Sequence, residues 1–454
     1  MPKQKATAAS KAKKILVDFP GEFLVKPNDE LYCRLCETTV KCEKRHFVES
    51  HRASARHQRC KTSSSSSSQQ FLEMPRADLI EKVASSFISA DIPLKKLRHP
   101  AIKSLFQFMG KDCPSETACR MRVPALGENQ KSEIRTSMNG EQIFLIADES
   151  TISGDRYFNI LVGSVNNPSK TFLMECIVLQ NSVTGEVVCQ LIDDAIRYLG
   201  TPRGNFLLLL SDAASYMISA GSVLKNMYPN LFHVTCIAHL LHNCAMKVRT
   251  NSPAVDELIA RIKATVTKNA TRRELFCEIG QPPEPVVTRW ATWLESGLWY
   301  AEHLHEVRNI IDNCDGTGLI LNRAKAAVAD ERLTQELIDL VKYRSLIALI
   351  KNAESSTYTI RAAMSDLNSL SFGNDPYKIR PYLDARIARN DITRIISHLR
   401  TDISPLTYSL LENCQPTSSA VERSFSILKH MLRDDRHFLP KNLANYAMLT
   451  FNNN

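Results

Sequence analysis

Tyr32-Cys33-Arg-Leu-Cys36 is followed after fourteen residues by His51, and after five more by His57. Two thiols and two imidazoles at such spacings are the ligand set that a structural Zn²⁺ takes in a closed tetrahedral site. The same pattern limits the fold around it. A stretch of fewer than about 40 residues cannot bury enough apolar surface to fold alone, and a metal supplies what the core lacks. Isolated Cys and His residues are the alternative reading; His46 and Cys42 lie close enough to compete as ligands but fit the spacing less well. The paired histidines sit on a segment with Lys44, Arg45, Arg52, Arg56 and Arg59, a basic helix suited to the backbone and major groove of double-stranded DNA.

Charge points the same way. The chain has 454 residues and a net charge of +9, and residues 1–61 alone hold fourteen Lys and Arg against seven Asp and Glu. The N-terminus is therefore the surface that seeks an acidic partner, and nucleic acid is the expected one. Lys3, Lys5, Lys11, Lys13 and Lys14 read as a disordered tail, either merely solvated or a nuclear-import signal or phosphate-contacting arm. Thirteen cysteines, an odd number, fit free thiols plus a metal site in a reducing compartment better than a disulfide framework. No apolar h-region adjoins the tail, and the longest aliphatic run, Leu207 to Leu210 after Phe206, is far too short for a membrane span. The protein is expected to stay inside the cell.

Six consecutive serines within Thr62 to Gln70 mark a flexible linker and a domain boundary. Leu72 to Ala90 and His99 to Met109 read as amphipathic helices, separated by a proline-containing stretch that forbids one continuous helix. From Ile143 the pattern becomes α/β. Ile143 to Ala147 is an apolar run closed by Asp148; Tyr157 to Val162 and Thr171 to Leu179 are further β-rich runs, with Asn166, Asn167 and Pro168 turning between them. A helix over Val183 to Leu199 stops at Gly200, a strand runs from Asn205 to Asp212, a helix from Ala213 to Met227, and a last strand from Leu231 to Ile237. Three strands, helix, strand, helix, strand is the order of a ribonuclease-H-like α/β domain. In α/β sheets ligands gather beyond the carboxyl ends of strands, where Asp148 and Asp212 fall. Each Asp is also a plausible helix N-cap.

Further on, Val287-Thr-Arg289-Trp290 opens a helix bearing Trp293 and Trp299, and tryptophans at helical spacing are normally core. Leu294 to about His398 is helical, with Leu333 to Asn352 its longest apolar-periodic piece. After Pro416, Ser419 and Glu422 make a capping box, and Val421, Phe425, Leu428 and Leu432 line one apolar face of the helix that follows.

The string Ser-Ser-Ala-x-Glu422-Arg-x-Phe-Ser, then Arg433, Arg436, Leu-Pro-Lys-Asn-Leu and the terminal asparagines, resembles the C-terminal dimerisation region of hAT-type transposases. The finger resembles the BED type and is similar to that of CGG-triplet-repeat-binding proteins. The resemblance implies a ribonuclease-H-like core split by an all-α insertion and preceded by a small ββα BED-type zinc finger and a helical region. It places a basic tail at 1–25, the finger at 26–61, a linker at 62–71, the helical region at 72–135, the first part of the core at 136–288, the insertion at 289–400 and the core return at 401–454. It makes Asp148, Asp212 and Glu422 a Mg²⁺-binding triad that cuts and joins DNA, and Cys236 and His239 its support. It also implies that Trp290, after Arg289, stacks on a flipped base, and that the protein is a nuclear homo-oligomer. The alternative is a domesticated, catalytically silent regulator that binds DNA through the finger.

Overall fold

The computed structural model describes residues 15–16, 18–19, 22–26, 30–61, 76–180, 182–267, 269–286, 291–316, 318–432, 438 and 440–453. The basic tail over 1–14, the Ser-rich linker, Arg289 with Trp290, and Arg433 with Arg436 lie outside the described residues. The chain divides into two compact units, Met1–Val83 and Ala84–Asn454. Among the described residues no helix is long and apolar enough to cross a membrane.

In the first unit, β1 (Phe23–Val25), β2 (Leu31–Cys33) and β3 (Thr38–Val40) form an antiparallel meander, with Phe23 opposite Cys33 and Leu31 opposite Val40. The expected ββα finger thus has a third strand. It forms because Phe23 needs cover: the ring is buried with Leu31, Val40 and Val48 in a core of only a few side chains. Helix α1 (Arg45–Ala53) follows and stops at Ser54, whose backbone is extended. The stop matters for the ligands. At about 100° per residue, two histidines six positions apart on one continuous helix would point about 120° away from each other. Ser54 breaks the run, its hydroxyl donating to His51 O and accepting from His57 N, and a new helical stretch over 55–61 turns His57 back toward His51.

Helix α2 (Arg76–Ser89) runs through the division at Val83, and the second unit then has α3 (Pro100–Phe108) and α4 (Glu116–Ser137) ahead of the sheet. The last of these had no clear sequence signature, because Pro124 lies inside it and its apolar residues do not keep to one stripe. The sheet comprises β4 (Ile143–Ile152), β5 (Asp155–Ser164), β6 (Phe172–Leu179), β7 (Phe206–Ser211) and β8 (Phe232–Thr235), in the order β6-β5-β4-β7-β8. The first three strands pair antiparallel; β7 and β8 are added parallel to β4 through the crossover helices α5 (Gly185–Leu199) and α6 (Ser215–Met227). Strand alternation divides the side chains. Ile143, Leu145, Ala147, Phe158, Ile160 and Val162 share one core with α5 and α6. Phe144, Ile146 and Asp148 therefore face the other side. Gly221 of α6 is obligatory: a Cβ there would stand 2.0 Å from the ring of buried His233 on β8.

The helical part begins earlier than position 289. Helices α7 (Ile237–Thr250), α8 (Pro253–Thr267) and α9 (Ala270–Glu274) precede α10 (Thr292–Asp312), α11 (Leu319–Val328), α12 (Leu333–Val341) and α13 (Ser345–Glu354), and they pack together, α8 on α11, α10 on α12 and α13 on α7. The expected run from Leu333 to Asn352 is two helices. Between them Tyr343 is fully buried, donates to Asp375 at 2.7 Å and stacks on Tyr377, contacts a straight helix would not reach. Then come α14 (Ile360–Ser369), α15 (Ile379–Ile387), α16 (Ile392–Ile396) and α17 (Pro405–Glu412).

The chain returns with α18 (Ser419–Met431), which packs on β4 and β5, and α19 (Pro440–Asn452), which packs on β6 and α4. Val421, Phe425 and Leu428 are buried as expected. Asn159 of β5, itself fully buried, donates to Ser424 at 2.7 Å and pins α18 to the sheet. Asn452 both accepts from and donates to the Leu173 backbone, satisfying part of the sheet edge at β6.

Candidate functional site

Two places in the molecule bring together residues that can do chemistry. In the first unit Cys33 ends β2 and Cys36 lies in the turn to β3, where its N–H points to Cys33 Sγ at 3.5 Å. His57 Nδ1 stands 3.5 Å from Cys33 Sγ, 3.4 Å from Cys36 Sγ and 3.3 Å from His51 Nε2. The four ligand atoms lie within 4.8 Å of one another, a Cys/His set that could hold a zinc ion. His46 and Cys42 are not part of it. Burial, with the adjacent Cys33, pushes the Cys36 thiol up to about 11, so paired thiolates here need a cation beside them at neutral pH. Burial, with His57 and Arg56, holds His51 below its ordinary value and so in the neutral form that ligates metals.

The basic residues nearby are tied down to different degrees. Arg52 makes a two-point pair with Glu22, at 2.6 and 3.1 Å, and its guanidinium lies 4.1 Å from the Phe19 ring centre. Arg45 is exposed and pairs with Asp18 and Glu49, each at 2.8 Å; Arg56 reaches Cys36 O at 3.3 Å. Exposed pairs of this kind are worth little and exchange readily for phosphate contacts. Glu22 was not singled out from the sequence. Its carboxyl is held down at about 2, first by the Arg52 hydrogen bond and then by Lys61.

In the second unit the parallel register pairs Ile146 of β4 with Leu210 of β7, so two residues further Asp212, just past the end of β7, comes level with Asp148. Asp148 does not end its strand as the sequence suggested: β4 runs on to Ile152 because it stays paired with β5, Asp148 opposite Asn159. Asp148 is 8% exposed, and its carboxylate accepts from Glu149 N at 2.8 Å. Burial, reinforced by the charges of Asp212 and Glu422 and opposed by His239, pushes it up to about 7. Asp212 accepts from Ala214 N at 3.1 Å, but Ala214 is itself the N-cap of α6 and that helix has no side-chain cap bond, so the capping reading of Asp212 is not met.

Glu422 arrives from α18. The capping box does not form: Ser418, not Ser419, is the N-cap, and it makes no side-chain cap bond. Glu422 instead turns toward His239, with Oε1 4.0 Å from Nε2. The side chain as a whole is about a third exposed, yet Oε1 is closed off from solvent and without a hydrogen-bond partner. Burial lifts this carboxyl to about 7 as well. Cys236 and His239 act on the loop that delivers it. Ser418 N points to Cys236 Sγ at 3.2 Å, Ile237 N donates to Pro416 O at 3.0 Å, and His239 Nδ1 is 3.5 Å from Ser418 Oγ.

Asp148 thus feels the charge of both other carboxylates. The three do not, however, make a second set of ligand atoms within 4.8 Å, which among the described residues only the Cys/His group does. Carboxyls lifted to about 7 take up a proton or a cation at neutral pH. Tyr216 on the first turn of α6 responds to the two aspartates too: burial first, then Asp212, Glu149 and Asp148, hold its phenol above the ordinary value. A tyrosine four residues after Asp212 carries no sequence signal of its own, since that spacing on a helix is normally packing.

No curated protein matches the chain. Residues 127–266 match the family described as Domain of unknown function (DUF659), a stretch that includes Asp148, Asp212, Cys236 and His239 and ends before Glu422. The chain therefore carries, beside a Cys/His zinc-binding group near its N-terminus, a DUF659 domain of the kind found in hAT-type transposase-like proteins.

Proposed function

We propose that the protein is a nuclear, zinc-finger DNA-binding protein of hAT-transposase descent, dimeric through its C-terminal region, whose ribonuclease-H-like core cuts and joins DNA at Asp148, Asp212 and Glu422. The observation that carries this is the convergence of these acids. Asp148 inside β4 and Asp212 just past the parallel β7 come level, and Glu422, from beyond all the intervening helices, bears on Asp148 by its charge. The strand order, three antiparallel strands followed by two parallel ones, supports the core assignment, as does the matched domain over 127–266.

The donor set suits a hard divalent cation: carboxylate oxygens, one of them buried and unpartnered at Glu422 Oε1. Bound Mg²⁺ would activate water and stabilise the leaving oxygen of a phosphodiester. The chain's own part is to bury Asp148 and hold the three acids in place. Asn159 and Ser424 lock α18 to the sheet, and His239 offers the Glu422 carboxylate a cationic neighbour when protonated. In the finger, exposed Arg45 and the Arg56 that borders the site supply phosphate contacts.

The test is strand cleavage or joining on candidate element ends with Mg²⁺. Activity abolished by Asp148→Asn, and by Glu422→Gln, supports the reading; parent protein that binds such DNA yet never nicks it defeats the nuclease half. One observation favours a domesticated regulator instead. Asp212 spends an oxygen on Ala214 N, Glu422 faces His239, and the acids do not close to a common ligand distance. DNA binding that is untouched by Asp148→Asn but lost with Cys33→Ser, in a protein without cleavage activity, selects that alternative.

A further inference from the structure

His57 is fully buried and presents Nδ1 to both cysteine sulfurs. Its ring orientation is set by the stack against Phe23, with centroids 6.3 Å apart and planes 15° off parallel. A neutral imidazole that gives Nδ1 to a metal keeps its proton on Nε2. That nitrogen is closed off from solvent and makes no hydrogen bond, while one carboxylate oxygen, Glu22 Oε2, approaches it to 3.5 Å. Glu22 is in turn anchored on three sides. Arg52 binds both its oxygens, Lys61 binds Oε1 at 2.8 Å, and its own backbone oxygen accepts from Arg34 N at 3.0 Å, next to the cysteine turn.

We propose that Glu22 is the outer-sphere positioning residue of the zinc centre: it receives the Nε2 proton of His57, fixes the tautomer that directs Nδ1 to the metal, and ties the ligand cluster to the basic Arg52 and Lys61. The inference rests on the zinc reading of the Cys/His cluster and deepens it. A histidine ligand whose second nitrogen points into apolar surroundings is a poor one, because the buried N–H is left unpaired; an anchored carboxylate behind it orients the ring and raises its basicity. The same carboxylate explains why Arg52, on the helix that carries His51, folds back over the finger rather than outward. Occupancy of the metal site and the setting of two basic side chains are thereby linked through one residue.

Zinc affinity of the full-length chain, measured by competition with a chromophoric chelator, tests this on the parent, Glu22→Gln, Glu22→Ala and Cys33→Ser, with the Co²⁺ absorption spectrum as a second readout. The expected result is one zinc per parent chain, a loss of affinity of about 10- to 100-fold in both Glu22 variants, and a shifted Co²⁺ d–d envelope with the thiolate charge-transfer band intact. A general loss of structure would lower both bands together without moving the envelope. Glu22→Gln keeps the side chain's size and decides the matter if Glu22→Ala does not fold. Affinities within twofold of the parent for Glu22→Gln, with an unmoved envelope, overturn the proposal while leaving the zinc centre standing. A parent chain that takes up no zinc overturns both.

Discussion

The finger and the acidic rim solve opposite problems. In the finger, four ligands come from one short stretch, Cys33 to His57, and their atoms are gathered within 4.8 Å. At the rim the acids come from β4, from just past β7 and, after the whole helical region, from α18, and they stay further apart. The finger has almost no core beyond a few side chains, so its ligand set is its structure. The rim sits on a sheet with a large core on one face, which is stable enough to hold groups that would rather not be there. A buried Asp148 and a buried, unpartnered Glu422 oxygen weaken the fold they sit in, a cost that sites of function commonly carry.

The largest effect should follow removal of the metal ligands. Cys33→Ser, or stripping of zinc, is expected to remove the finger's folding energy, on the order of 10 kcal/mol of apparent metal binding. Protection from hydrogen exchange should vanish over residues 22–61 and remain over the sheet of the second unit. Protection that persists in a metal-free finger would erase the contrast between the two regions.

Next in size is Gly221→Leu, which drives a side chain into the His233 ring and should cost at least 1–3 kcal/mol in the second unit's unfolding. Zinc affinity should not change. Ser424→Ala comes after it: Asn159, buried under α18, loses its acceptor, for about 1–3 kcal/mol of denaturant stability. Because α18 also carries Glu422, this variant should weaken Mg²⁺-dependent thermal stabilisation more than Gly221→Leu does.

Asp148→Asn has the opposite sign. Folded Asp148 and Glu422 keep their protons to about pH 7 rather than about pH 4, so folding takes protons up between those values. The destabilisation is absent below about pH 4, grows as pH rises and is complete above about pH 7. Without added Mg²⁺, Asp148→Asn should therefore be more stable than the parent by about 1–3 kcal/mol near pH 7.5, with the gap closing toward about pH 4.5. A gap that is constant with pH would mean the acids are not strained and the rim is no different from ordinary surface.

The smallest expected effect is that of Arg52→Lys, which keeps charge but loses the two-point grip on Glu22. Zinc affinity should fall by only a few-fold, and less than in Glu22→Gln.

Much of this was legible from the residues, though unevenly. The Cys/His spacing named the four residues that the structure gathers, since short-range geometry leaves a metal few other choices. The β-rich runs before Asp148 and Asp212 marked strands because apolar stretches are a strong local signal, but β4 runs on past Asp148 to Ile152, held by its pairing with β5, which the polar residues after Ala147 concealed. Helix α4 fell within the helical region expected over 72–135 but was not picked out as an element, because Pro124 and scattered apolar positions hid its pattern, and the division between α12 and α13 escaped because periodicity continues through Tyr343. The capping box at Ser419 and Glu422 was a sound local reading that the tertiary structure overruled. Pulled toward Cys236, the loop ahead of α18 shifts the cap to Ser418, and Glu422 turns to His239.

By itself the sequence determined which cysteines and histidines form the cluster that could hold a metal, the strand and helix order around Asp148 and Asp212, and the apolar face of α18. These depend on spacing, turn residues and periodicity, which act over a few residues. Only the tertiary structure decided that Ser54 would break the helix and bring His57 back toward His51, that β4 and β7 would pair with both aspartates level, and that Glu422 would turn to His239. Strand register and the docking of distant helices depend on which buried faces fit together, and no stretch of chain read alone contains that information.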